Sequence, residues 1–191
     1  MEKIIVIDNY DSFTYNLVHL LKEVSQKDVT VVRNDKFDLA EINNFDKIVL
    51  SPGPGVPNEA GLMPELVKRY AATKSILGVC LGHQCIGEVF GAKLINLAVV
   101  AHGKSYPTIV TDSTELLFKG IDQEFLSARY HSWAICSENF PDCLKITAEG
   151  ADKTIMALRH KQYNVAGVQF HPESVMTPVG PEIIKNWLGL A

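Results

Sequence analysis

The pentapeptide Gly78-Val79-Cys80-Leu81-Gly82 has the make-up of a nucleophile elbow with cysteine in the place of serine. It follows the apolar run Ser75-Ile76-Leu77-Gly78-Val79 and precedes residues 84–90, which read as a helix. Small neighbours permit the strained strand-to-helix turn that pushes a nucleophile outward. The partial positive charge of a helix N-terminus favours thiolate over thiol, lowering a cysteine pKa from about 8.5 toward neutrality. Free cysteine is also among the most buried residue types, so the pentapeptide alone fits a packed strand-end thiol equally well. A proton carrier is offered by His171-Pro172-Glu173. Side chains at i and i+2 of an extended chain point the same way, so Glu173 reaches one ring nitrogen of His171 while the other faces a nucleophile. Nucleophile, base and orienter are then all present. The third element is Ser51-Pro52-Gly53-Pro54-Gly55, where glycines admit a ligand close to the backbone and prolines stiffen the loop. The N–H groups of Gly53 and Leu81 are the expected oxyanion donors.

These residues need strand ends to hold them. The first half alternates short β-branched runs with amphipathic segments, the pattern of βαβ units around a buried parallel sheet. Strands are predicted at residues 3–8, 28–33, 46–51 and 75–79. Between them Phe13, Leu17, Leu20, Leu21 and Val24 recur at helical spacing, as do Leu62, Leu66, Val67 and Tyr70. From Lys93 onward the texture changes to short alternating runs broken by Gly, Pro, Asn and Asp, which suits antiparallel or mixed strands. Residues 165–171 form the strongest late strand, and residues 181–190 read as a closing helix. The expected architecture is α/β: a flavodoxin-like open, mostly parallel sheet flanked by helices, with added antiparallel strands in the second half. It forms one domain over residues 1–191.

Length and composition agree with a single core. The 191 residues are 47% hydrophobic and 21% charged, ordinary globular usage. Eighteen basic against twenty-two acidic residues give a net charge of −4 without a basic cluster, which argues against nucleic acid as a partner. No uncharged stretch approaches the ~18 residues of a membrane span. The four cysteines are expected to be reduced, in the cytoplasm.

Together the three elements resemble the class I glutamine amidotransferases, whose glutaminase domain carries a Cys-His-Glu triad on a flavodoxin-like sheet. The likeness covers essentially the whole chain. It sharpens at Asp8-Asn9-Tyr10-Asp11-Ser12-Phe13-Thr14-Tyr15-Asn16, Glu59-Ala60-Gly61, residues 78–84, His102-Gly103-Lys104, Arg129-Tyr130-His131-Ser132 and residues 167–174. By these motifs the chain is similar to the glutaminase subunits of anthranilate synthases and, almost indistinguishably, of 4-amino-4-deoxychorismate synthases. The resemblance implies hydrolysis of L-glutamine to glutamate, with ammonia passed to a chorismate-using synthase subunit (component I) and no cofactor or metal in this chain. Of the two products, anthranilate is favoured. The resemblance makes Cys80 the nucleophile, His171 the acid and base, and Glu173 its orienter. It assigns glutamine binding to Gly53, Pro54, Gly55, Gln84, Ser132 and the backbone at Trp133.

Trp133 and Cys85 depart from the pattern, which has smaller residues there. Cys80, His83 and Cys85 look like part of a zinc site, but Cys136 and Cys143 lack the spacing to complete four ligands. His131 can support Ser132, His102 can lie at a partner surface, and His19 sits on the first helix among leucines; each is more often a structural histidine than a catalyst. The rivals are a peptidase or γ-glutamyl hydrolase, which Gln84 with Ser132 disfavours, and a flavodoxin-like binding module. A receiver module is disfavoured because the third strand ends at Leu50-Ser51 rather than on an acceptor carboxylate.

Overall fold

The computed structural model describes residues 2–190, and the side chains of all of these except residues 98–102. The side chain of His102 therefore lies outside the described residues. Strand β1 (Ile4–Asp8) lies between β2 (Val29–Arg33) and β3 (Lys47–Leu50), both parallel to it. Next come β4 (Ser75–Val79) and then β9 (Val165–Val168), again parallel. The antiparallel strands β8 (Ile155–His160), β7 (Leu144–Gly150), β5 (Leu94–Val110) and β6 (Glu124–Ile135) continue the sheet. Among the described residues this is one nine-stranded sheet in the order β2-β1-β3-β4-β9-β8-β7-β5-β6. Its parallel part has the 2-1-3-4-5 arrangement of flavodoxin, with β9 as fifth strand.

Apart from the edge strand β2, the parallel strands are buried on both faces, so their residues alternate between two cores. Ile4 and Val6 pack on one side with Leu17 and Leu21 of α1 (Thr14–Ser25) and Ile183 and Trp187 of α4 (Gly180–Leu188). Ile5 and Ile7 face the other side, toward Met63, Leu66 and Val67 of α2 (Met63–Tyr70) and Cys85 and Ile86 of α3 (Leu81–Val89).

Four expectations shift. Helix α3 starts at Leu81, three residues before the predicted start, because the Cys80 carbonyl accepts from the Gln84 N–H at 3.0 Å and so opens the helix. Strand β9 stops at Val168 rather than residue 171. The chain then moves to other partners, with the His171 N–H donating to the Ala128 carbonyl of β6 at 3.2 Å. Helix α4 ends at Leu188 because Gly189 takes φ +75°, a left-handed cap that glycine adopts without a Cβ penalty. The second half holds two long strands of 17 and 12 residues where short runs are predicted. Among the described residues of β5 only Thr108 and Ile109 pair on both sides, so Gly103 and Pro107 fall where one edge is open.

The turn from β4 into α3 is built on backbone contact. A Cβ on Gly78 would lie 2.5 Å from the Gly82 carbonyl oxygen and 2.6 Å from the His83 nitrogen. Neither neighbour is a side-chain end that can swing away. Gly78→Ala is therefore expected to destabilise the fold by about 1–3 kcal/mol. Thermal unfolding checks this, each kcal/mol lowering Tm by roughly 2–4 °C for a chain of this size.

Candidate active site

Cys80 occupies φ 52°, ψ −99°, a conformation with positive φ that a residue with a Cβ rarely adopts. Its N–H donates to the Val168 carbonyl at 2.9 Å, and its carbonyl begins α3. Those two bonds and the Gly78–Gly82 contact over-determine the turn, as a strained residue requires. Leu81 then stands at the first helical position, where an amide hydrogen has no acceptor within the helix. Gly53 packs against it: a Cβ there would meet Leu81 Cδ2 at 2.8 Å and Asn9 Cβ at 2.5 Å.

The Gly53 loop is tied down by Asn9, whose sequence signal is only its place in the Asp8–Asn16 motif. The Asn9 N–H donates to Ser51 Oγ at 2.9 Å, and its Nδ2 donates to the Ser51 carbonyl at 2.8 Å. Asp8 in turn anchors the preceding loop, accepting from the Tyr10 N–H at 2.9 Å and from Thr14 Oγ1 at 2.9 Å.

His171 is buried, and its Nδ1 lies 2.7 Å from Glu173 Oε1. Phe13 and Tyr130 meet the ring edge-on at 5.7 and 5.0 Å and fix its plane. Thr177 Oγ1 donates to the His171 carbonyl at 2.8 Å and accepts from the Ala128 N–H at 2.9 Å, clamping this segment to β6. Burial opposes a charged ring, but bonding and attraction from Cys80 and Glu173 outweigh it and raise the His171 pKa well above 6.5. Nδ1 belongs to Glu173, so Nε2 is the nitrogen turned to the sulfur. Among the described residues it meets no partner at full hydrogen-bond geometry, as is common for catalytic bonds before a substrate tightens them.

A cavity of about 150 Å³ opens onto the sulfur, lined in part by Gly53, Pro54, Gly55, Leu81, Ser132 and Trp133. Cys80, Gln84, Tyr130 and His131 complete the lining. The cavity's volume admits one small molecule. Gln84 does not offer its whole amide. Its Nε2 donates to the Trp133 carbonyl at 2.8 Å and to Gln169 Oε1 at 3.1 Å, which leaves its carbonyl oxygen as the atom to face a ligand. The Trp133 carbonyl is likewise occupied, since His131 Nδ1 approaches it at 2.9 Å. A carbonyl only accepts, so His131 carries its proton on Nδ1.

Residues 5–190 match the class-I glutamine amidotransferase family. The chain belongs to that family. Among relatives of this amidotransferase, the anthranilate synthase component 2 of Thermus thermophilus is 48% identical, over 97% of this chain and 91% of the relative. The aminodeoxychorismate/anthranilate synthase component 2 of Bacillus subtilis is 41% identical, over 97% and 95%. Against the bifunctional protein TrpGD of Thermotoga maritima, 43% identical, the amidotransferase spans 32% of the relative's length. In structure it overlays a GMP synthase subunit of Thermoplasma acidophilum, with a TM-score of 0.88 and 31% identity. That overlay covers 100% of this chain and 94% of the other.

Cys85 of the amidotransferase lies in the opposite core from Cys80, and burial pushes its thiol up to about 12. It stays protonated and inert. Among the described residues no group of three His, Cys, Asp or Glu side chains converges as metal ligands, and no helix is long and apolar enough to cross a membrane.

Two other histidines border the site in neutral form. Burial pushes His83 down to about 3, and neither of its ring nitrogens finds a partner at full hydrogen-bond geometry among the described residues. Burial pushes His131 down to about 4, with Arg129 and His171 lowering it further. For a histidine lowered in the folded state, the unfolded chain binds the extra proton between the two pKa values. The stability that these two histidines contribute is thus complete above about 6.5 and is lost as pH falls toward 4 for His131 and toward 3 for His83. Urea midpoints are expected to fall steadily over that window, and His83→Gln to flatten the slope.

Proposed function

We propose that this chain is a glutaminase that hydrolyses L-glutamine through Cys80, His171 and Glu173 and delivers ammonia to a chorismate-using synthase subunit. The observation that carries the reading is the placement of His171 between Glu173, at 2.7 Å, and the Cys80 sulfur, at the mouth of a cavity sized for an amino acid.

Cys80 attacks as thiolate, its proton held by His171. Sulfur bonds to the side-chain amide carbon of glutamine, and the carbonyl oxygen becomes an oxyanion facing the N–H groups of Gly53 and Leu81. His171 gives its proton to the amide nitrogen, the C–N bond breaks, and ammonia leaves a γ-glutamyl thioester. Water then adds to the thioester carbon with His171 taking its proton, and collapse releases glutamate and the thiolate. Glu173 holds the ring in position and balances its charge. Gly53, Pro54, Gly55, the Gln84 oxygen, Ser132 and the backbone at Trp133 bind the amino-acid end. Several fixed polar partners there reject amides that lack the α-amino and α-carboxylate groups.

The relatives named component 2 of anthranilate and aminodeoxychorismate synthases support a heteromeric assembly, with a second component that uses chorismate. Anthranilate is the favoured product, with aminodeoxychorismate, or service to both partners, as the alternative. Product analysis of the assembled complex separates them. A lone glutaminase wastes glutamine, so hydrolysis is expected to be slow in the isolated chain and to rise when the partner binds.

Cys80→Ser is expected to leave less than roughly 1% of glutamine-dependent product formation, while added ammonium salt still supports the synthase. Cys85→Ala is expected to be close to wild type. Substantial glutamine-dependent product from the Cys80→Ser complex would overturn the assignment.

The two partners of the thiol separate by role. His171→Ala is expected to cost as much as loss of the thiol, and Glu173→Gln less, because an orienter does not itself carry the proton. Rates of acyl-enzyme formation check the order, and the reverse order would exchange the roles.

A further inference from the structure

We infer that Gln169 is a further catalytic residue, a buried amide that donates to the Cys80 sulfur with a polarity imposed by the pocket wall. Its Nε2 lies 3.5 Å from Cys80 Sγ, within the range of an N–H···S bond, and the side chain is wholly buried. A primary amide in such a place is costly unless both its ends are bonded. Here both are, because Oε1 accepts from Gln84 Nε2 at 3.1 Å.

Which end of Gln169 meets the sulfur follows from a chain of hydrogen bonds that begins at a group without a choice. The Trp133 carbonyl only accepts, so the atom of Gln84 at 2.8 Å from it is the nitrogen. The second hydrogen of that nitrogen points to Gln169, whose oxygen must therefore face Gln84. The Gln169 NH2 is left for Cys80. His131, whose Nδ1–H also reaches the Trp133 carbonyl, holds the start of the chain in place. A flipped Gln169 would set two amide nitrogens against each other and turn an oxygen lone pair on the sulfur.

A donor at sulfur stabilises the thiolate against the thiol, and charge-assisted bonds are the stronger kind. Gln169 thus adds a second stabilising contact beside the His171 imidazolium. It acts where the thiolate exists, before attack and again when the thioester collapses. The same chain runs to Trp133 in the wall of the glutamine cavity, so the wall and the nucleophile share one set of bonds.

This inference rests on the reading of Cys80 as nucleophile, and its test reads the thiol directly. The probe is iodoacetamide alkylation of Cys80 in the full chain across pH, resolved by mass spectrometry from the exposed Cys143. Gln169→Met keeps length and removes the donor. Its alkylation midpoint is expected to rise by about one pH unit, and Gln169→Glu, which sets a carboxylate beside the sulfur, is expected to shift it further. In the assembled complex, Gln169→Met is expected to lower kcat for glutamine about tenfold with a smaller change in KM. A residue with only a packing role would change unfolding temperature and leave the midpoint in place. An unchanged midpoint in folded Gln169→Met overturns the inference. If neither Gln169 variant folds, Gln84→Leu decides, because it frees Gln169 to turn and is expected to raise the midpoint with Gln169 intact; no rise there overturns it. Retained glutaminase activity in Cys80→Ser would remove the nucleophile assignment, whereas the alkylation midpoint would still report on the Gln169 contact.

Discussion

Everything at this site hangs on one strained residue. Cys80 keeps φ at 52° with a side chain attached, which costs on the order of 1–3 kcal/mol and persists only under constraint. The constraint comes from three directions. β9 bonds the cysteine amide through Val168, α3 begins on its carbonyl, and Gly82 presses on Gly78 from one side and on the Leu50 carbonyl, 2.5 Å from where a Cβ would stand, from the other. The turn that presents the sulfur also opens α3 at Leu81, so a single backbone geometry sets both the proposed nucleophile and the proposed oxyanion donor. Gly53 completes the pair because Asn9 and Ser51 draw the ends of β1 and β3 into contact.

The antiparallel half of the sheet supplies what the parallel half lacks. Three strand ends of the flavodoxin-like part deliver Gly53, Cys80 and His171, yet none provides a second wall for a ligand. β6 does so with Ser132 and Trp133, and it is fastened to the base segment by the Thr177 hydroxyl between His171 and Ala128. Buried imidazoles add to this region without adding charge. His131 spends its proton on the Trp133 carbonyl, so the positive charge that develops near the thiol is confined to His171.

What the sequence discloses and what it conceals divide by range. Cys80 between its glycines, and Glu173 two residues beyond His171, are patterns of a few residues whose geometry follows from local backbone, so both are readable directly. Buried β-branched runs at β1, β3 and β4 are readable for the same reason. Gln169 is not, since its meaning depends on β9 pairing with β4 and bringing together residues 89 positions apart. Asn9 bonding Ser51 across 42 positions is hidden likewise. A signal for Gln169 did exist: a polar residue ends the apolar run Val165-Ala166-Gly167-Val168, on the same side of an extended chain as His171. The lengths of β5 and β6 escape notice because Gly103 and Pro107 look like breaks until the open edge of the strand is known.

The close approach of β4 to α3 also bears on how freely this chain can drift. Changes of side-chain volume in a core normally force shifts of the backbone around them. At Gly78 and Gly82 the touching surfaces are main chain on main chain, with dimensions common to every polypeptide. The sulfur is thereby insulated from the composition of the interior. A change of volume among the apolar side chains beneath the sheet therefore leaves the Cys80 turn where it is, provided the glycines at the contact stay.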